Sequence, residues 1–106
     1  MVVEWTDAAL AVADKTLDFT YYRFGQTQAT KLKSEFRKVG KLIGKFPRMG
    51  SVERLVRREG EYRFVTVFNI LKVIYRIDNP NHISIITIWD CRQNPENLDD
   101  VISNEQ

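Results

Sequence analysis

Five side chains in the second half of the chain, Arg63, Lys72, Tyr75, Arg76 and Arg92, combine cationic charge with a phenolic hydroxyl. Cleavage of RNA by its own 2′-hydroxyl needs a group to take a proton and a group to protonate the leaving oxygen. It also needs cations to stabilise a charged phosphorane. Arginine and lysine suit the last task, and Lys72, Tyr75 and Asp90 are the substitutes at hand for the first two. These residues define one candidate chemistry, a metal-independent endoribonuclease. A structural alternative stands beside it. The same side chains keep an exposed sheet face soluble, with arginine–carboxylate pairs to Asp78 or Asp90.

Other chemistries fail on inventory. The chain holds one histidine, His82, so no His-pair metal motif can form; its place after Asn79-Pro80-Asn81 suits a solvated turn. One cysteine, Cys91, leaves no internal disulfide and no cysteine-based zinc cage. The glycines fit neither dinucleotide nor P-loop spacing. No cofactor and no metal are expected. No apolar run reaches the ~20 residues that span a bilayer, and the start of the chain lacks a secretory pattern. With 106 residues, 43% hydrophobic and 28% charged, the expectation is one globular cytoplasmic domain, residues 1–106, with a short acidic tail over 96–106.

Charge is segregated. Residues 31–76 carry 13 Lys/Arg against 4 Asp/Glu, a balance of +9, while the rest carry 3 against 10, a balance of −7. Such a block is either a solvated surface or one that meets a polyanion or an acidic partner.

The elements that must position these groups are readable. Val2 to Trp5 reads as a strand, and Thr6 caps a first helix with Asp7 in its opening turn. Leu10, Ala13, Leu17, Tyr21 and Phe24 recur at threes and fours, the stripe of an amphipathic helix that Gly25 ends. Thr27 caps a second helix with the stripe Ala29, Leu32, Phe36, Val39, Ile43 and Phe46, and Pro47 and Gly50 mark its exit. Four strands follow. Ser51–Arg58 is β-branched and basic, and Tyr62–Phe68 places Tyr62, Phe64, Thr66 and Phe68 on one face. Leu71–Asp78 places Leu71, Val73, Tyr75 and Ile77 on one face, and Ile83–Trp89 is apolar on both faces. Short links predict an antiparallel meander. The fold class is α+β, with an antiparallel helical hairpin packed across one face of the sheet. After Pro95, a single fraying helical turn is expected.

Four stretches in this order resemble the ParE/RelE superfamily of type II toxin–antitoxin toxins. Val3-Glu4-Trp5-Thr6-Asp7-Ala8-Ala9 resembles its opening strand and helix, and Phe46-Pro47-Arg48-Met49-Gly50 its Pro-x-x-Gly exit. Tyr62-Arg63 with Val73-Ile74-Tyr75-Arg76-Ile77-Asp78 resembles the central strands and their I-x-Y-x-I-D ending. Ile85 to Pro95 resembles the closing strand and R-x-x-P finish. The resemblance covers nearly the whole chain. It implies a growth-inhibiting toxin, neutralised by a cognate antitoxin and able to form a toxin–antitoxin hetero-oligomer or a homodimer.

Two branches differ in target. RelE-like members cut messenger RNA on the ribosome with several basic residues and a C-terminal tyrosine; ParE-like members poison DNA gyrase. Here the Tyr62–Phe68 strand carries only Arg63, and no tyrosine follows Arg92. Lys72 and Arg92 match the RelE pattern loosely, whereas the Pro47–Gly50 exit and Tyr75-Arg76-Ile77-Asp78 lean toward ParE. The ParE-like reading, gyrase inhibition, is favoured over the RelE-like alternative. An antitoxin segment of this family lies across the helical hairpin and sheet edge. Lys31, Lys38, Lys41 and Lys45 on helix two, with Arg54, Arg57 and Arg58 beyond it, are the residues expected to meet acidic groups of that partner, which must add apolar anchors.

Overall fold

A computed structural model of the chain describes residues 1–93 and 97–105. Its elements run β1 (Val2–Trp5), α1 (Asp7–Phe24), α2 (Gln26–Lys45), β2 (Ser51–Val52), β3 (Glu61–Val67), β4 (Leu71–Asn79), β5 (His82–Asp90) and α3 (Leu98–Glu105). The sheet order is β1-β5-β4-β3-β2. Strands β2 to β5 form the expected antiparallel meander. The first strand instead lies parallel to β5, with Val2 opposite His82 and Trp5 opposite Ile85. The crossover that this parallel pairing requires runs through both helices and then through β2, β3 and β4, which return the chain to β5. The fold is α+β.

Thr6 ties the crossover to the sheet. Its hydroxyl accepts the Ala9 N–H at 3.1 Å, the N-cap bond, and donates to the Ile85 carbonyl at 3.0 Å. Along α1 the buried residues are Ala9 and Ala13, with Val12 and Leu17 partly covered. The expected stripe is corrected at three places, since Leu10, Tyr21 and Phe24 are exposed. Small alanines let this helix sit against the sheet, and its aromatic residues are left to another surface. Gly25, at φ 91°, serves as C-cap of α1 and N-cap of α2, a backbone angle that favours glycine. It displaces Thr27, which lies within the first turn and caps nothing. Leu32, Phe36, Val39 and Ile43 are buried as expected, and Phe46 at the helix end is exposed.

The sheet is covered on both faces. Toward the helices lie Val65, Val67, Leu71, Val73, Tyr75, Ile77, Ile83, Ile85 and Ile88. The reverse face carries Tyr62, Phe64, Ile74, Ile86 and Trp89. Alternation along β5 breaks at a register shift opposite Ile74/Tyr75, so that Ile86 lies on the reverse face while Ile88, two residues on, faces the helices. On β3, Tyr62 and Phe64 share the face turned away from the helices, and Val65 and Val67 meet them.

Two expectations for irregular segments change. The strand read over Ser51–Arg58 has only two residues, Ser51–Val52, after which the chain turns and bends. The acidic tail is not one fraying turn. It contains α3, whose Leu98 and Ile102 are fully buried on the reverse face against Trp89, Ile86, Ile74 and Tyr62. Asn94, Glu96 and the Pro95 that ends the R-x-x-P finish lie outside the described residues.

Candidate functional site

The five sequence-selected residues do not converge. Cross-strand register places Arg63 opposite Tyr75 on the helix-facing side, and Lys72 and Arg76 on the reverse side. Arg92 follows the end of β5.

Arg63 and Tyr75 form a clasp around the exit from α2. The buried Tyr75 hydroxyl donates to the Pro47 carbonyl at 2.6 Å and accepts the Gly50 N–H at 3.1 Å. The Arg63 guanidinium donates to the Gly50 carbonyl at 2.8 Å and to Glu61 Oε2 at 2.8 Å, and Arg48 reaches Glu61 Oε1 at 3.0 Å. A Cβ at position 50 would stand 2.6 Å from the Tyr75 oxygen and 2.7 Å from the Phe64 carbonyl, so only glycine fits. The Arg63 hydrogen bond, with Arg48 beside it, holds the Glu61 carboxyl below its usual range. Burial pushes the Tyr75 phenol up, against the opposing Gly50 hydrogen bond. A hydroxyl committed to two backbone groups and biased toward its neutral form is poorly placed as a proton acceptor.

On the reverse face each cation has a carboxylate. Lys72 Nζ lies 3.0 Å from Oε2 of Glu53, itself buried, and 4.2 Å from the centre of the Phe64 ring. Arg76 pairs with Asp78 and reaches the Tyr62 hydroxyl at 3.5 Å. Asp78 also accepts from Ser84 Oγ at 2.6 Å, and its Oδ2 is 2.6 Å from His82 Nδ1. Burial pushes the Asp78 carboxyl up, but the bonds from Ser84, Arg76 and His82 outweigh it and hold the group below its usual range. His82 is therefore not a solvated turn residue; it opens β5 and lies between Asp78 and Glu4. Arg92 folds back on Asp90 at 2.7 Å and lowers that carboxyl's pKa. The arginine–carboxylate pairs to Asp78 and Asp90 are thus present. Among the described residues, no group of three or more His, Cys, Asp or Glu is placed to hold a metal ion, and no helix is long and apolar enough to cross a membrane.

The expected partner-binding residues occupy two places. Lys31, Lys38, Lys41 and Lys45 are exposed on α2, and Arg54, Arg57 and Arg58 are exposed on the bent segment after β2. Asp99 of α3 accepts the Arg57 backbone N–H at 2.9 Å and holds that segment to the C-terminal helix.

Sequence reasoning missed a groove of about 1020 Å³ between the helices and the far end of the sheet. Phe19, Phe24, Phe68 and Ile70 line it, all exposed, and Lys15, Arg23, Lys31 and Arg92 belong to its wall. Phe68 and Asn69 both have left-handed backbone angles, φ 51° and 59°, in the turn between β3 and β4. A left-handed phenylalanine is costly, and here the turn displays its ring to solvent. The visible signal was an apolar pair, Phe68 and Ile70, flanking the turn residue Asn69.

The family described as ParE toxin of type II toxin-antitoxin system, parDE, matches residues 3–95. The chain belongs to the ParE toxin family. It is a toxin of a type II toxin–antitoxin system. Among solved structures, the fold is similar to a chain of the chromosomal ParDE toxin–antitoxin system from P. aeruginosa, with a TM-score of 0.68 and 21% identity. The match covers 85% of this chain and 95% of that one. No curated protein matches by sequence.

The ParE-type stretches have a physical reading in this fold. Pro47 and Gly50 of the Pro-x-x-Gly exit are the two backbone partners of the Tyr75 hydroxyl. Within I-x-Y-x-I-D, Tyr75 and Asp78 are hydrogen-bond hubs on opposite sides of β4. Both motif residues hold the scaffold together.

Proposed function

We propose that this ParE-family toxin acts by binding DNA gyrase and that a cognate antitoxin, joined to it in a hetero-oligomer, neutralises it. The observation that carries this reading is the division of Arg63, Lys72, Tyr75, Arg76 and Arg92. They lie on two sheet faces and a loop, each tied to a neighbour. RNA cleavage needs acid, base and cations around one phosphate. Inhibition by binding needs only a stable surface.

The proposed antitoxin contact is the groove. Its aromatic residues supply anchors, and Lys15, Arg23, Lys31 and Arg92 attract an acidic, amphipathic segment. Arg54, Arg57 and Arg58 offer that segment a second cationic contact at the sheet edge.

Induced expression followed by separate measurement of DNA replication and protein synthesis tests the target. Replication should stop first, and purified toxin should inhibit gyrase supercoiling. Early arrest of protein synthesis with cut messenger RNA would establish the RelE-like alternative. For the partner, Phe68→Ala should speed antitoxin dissociation about 30-fold, the loss expected for a central aromatic anchor. An unchanged dissociation rate would remove the groove from the interface.

A further inference from the structure

The outer face of α2 is the most cationic surface of the molecule, and its charges are unspent. Lys31, Lys33, Arg37, Lys38, Lys41 and Lys45 are all exposed. None of them forms an ion pair with another described residue. This contrasts with the sheet, where Arg63, Lys72 and Arg76 each have a carboxylate. Glu35 is the one acid in the helix. At 3.6 residues per turn the six cations fall within an arc of about 160°, opposite the buried stripe, and extend over about 21 Å of helix axis. Several are four apart (Lys33 and Arg37, Arg37 and Lys41, Lys41 and Lys45), so the face repels itself.

Its other side chains decide what it fits. Within this arc lie Thr27, Thr30 and Ser34, and no apolar side chain. A protein partner draws its affinity from buried apolar and aromatic anchors, which this arc lacks and the groove supplies. A nucleic-acid backbone needs no anchor, because affinity comes from release of its condensed counterions by a row of cations. Hydroxyls among the cations add donors for phosphate oxygens. No aromatic side chain stands in the arc on which an unpaired base could stack, so a duplex fits better than a single strand.

We infer that the outer face of α2 is a contact surface for the phosphate backbone of duplex nucleic acid, independent of sequence. The inference does not rest on the gyrase reading or on the groove. It reassigns Lys38, Lys41 and Lys45 from an acidic antitoxin segment to phosphates, and Lys31 stands at the border of both surfaces.

Fluorescence anisotropy with the full chain and a labelled DNA duplex of about 20 base pairs tests it. Affinity should fall linearly with salt on logarithmic axes, with a slope of about −5 for six phosphate contacts. The triple variant Lys38→Gln, Lys41→Gln, Lys45→Gln should bind about tenfold more weakly or worse at about 50 mM salt, and its slope should drop by about half. Glutamine is a good helix former, and a circular-dichroism melt of the variant checks that the fold is kept. No duplex binding at low salt, or an unchanged slope in the folded variant, would overturn the inference. So would tighter binding to a single strand of the same length, or to polyglutamate at equal charge, with the latter result assigning the face to an acidic protein.

Discussion

Replacing Tyr75 by phenylalanine separates a catalytic tyrosine from a scaffold tyrosine. The ring stays, so no cavity opens. What is lost is the hydroxyl that donates to Pro47 and accepts from Gly50. The Pro47 carbonyl is partly exposed and can turn to water. The Gly50 N–H is buried and left unpaired, and an unsatisfied buried donor costs about 1–3 kcal/mol. Taking about 2 kcal/mol and an unfolding entropy of about 2.1 cal/mol/K per residue over this chain length, Tm should fall by about 9 °C. The alkaline limb gives a second signature. Burial raises the Tyr75 pKa in the fold. The unfolded chain therefore loses this proton first, and wild-type stability should decline above pH ~10, where a free phenol ionises. Tyr75→Phe should lack that part of the decline. Calorimetry at neutral and alkaline pH, beside a growth-inhibition assay below the variant's Tm, reads both. Toxicity should persist in the folded variant. Lost toxicity with an unmoved Tm would refute the scaffold argument and restore a catalytic role.

Other perturbations probe the remaining layers. Ile102→Ala, which empties a fully buried site beneath α3, should cost about 2–5 kcal/mol in urea unfolding; a loss below about 0.5 kcal/mol would mean that α3 adds little to the fold. Phe36→Ala removes the ring that meets Trp5 at 6.1 Å and should cost about 3–5 kcal/mol, visible in a circular-dichroism melt. Asp78 has a lowered pKa in the fold, so its contribution is present above the free aspartate value near pH ~4 and is lost as pH falls through its folded pKa. Asp78→Asn should lower stability at neutral pH and flatten this acid limb; a parallel acid limb in both proteins would show that the Arg76, His82 and Ser84 bonds do not stabilise the charged form.

Legibility in the sequence followed the range of the interaction. The stripe Leu32, Phe36, Val39 and Ile43 is local, and a helix of period 3.6 has one way to bury it. On α1 the same spacing misled, because Leu10, Tyr21 and Phe24 are exposed while Ala9 and Ala13 carry the sheet contact. An apolar stripe does not say whether its cover is the chain's own core or another surface. The parallel pairing of Val2–Trp5 with β5 joins residues some eighty apart, and no local pattern encodes it. The tail hid a readable signal: Leu98, Val101 and Ile102 stand three and four apart behind Asp99 and Asp100, acids suited to a first turn. For the site, residue types were legible but neighbours were not. Lys72 reads as a free cation until the bend after β2 returns Glu53 to within 3.0 Å of it.

The cover over the reverse face bears on what the sheet can do. Tyr62, Ile74, Ile86 and Trp89 make this face apolar at its centre, with Lys72 and Arg76 at its margins. Leu98 and Ile102 close it, and the Asp99 bond to Arg57 fastens α3 to the arginine-bearing bend. An RNA strand bridging Lys72 and Arg76 would have to lift α3, expose that apolar centre and break two ion pairs. Each step opposes binding, since apolar area returned to water costs roughly 25 cal/mol per Å², and the buried Glu53 carboxylate stripped of its partner adds to that cost. The groove and the outer face of α2 demand neither. Their aromatic rings and lysines are exposed already, so a partner that docks there covers surface the fold has left open. For this chain, action through external contacts is the route that leaves the core intact.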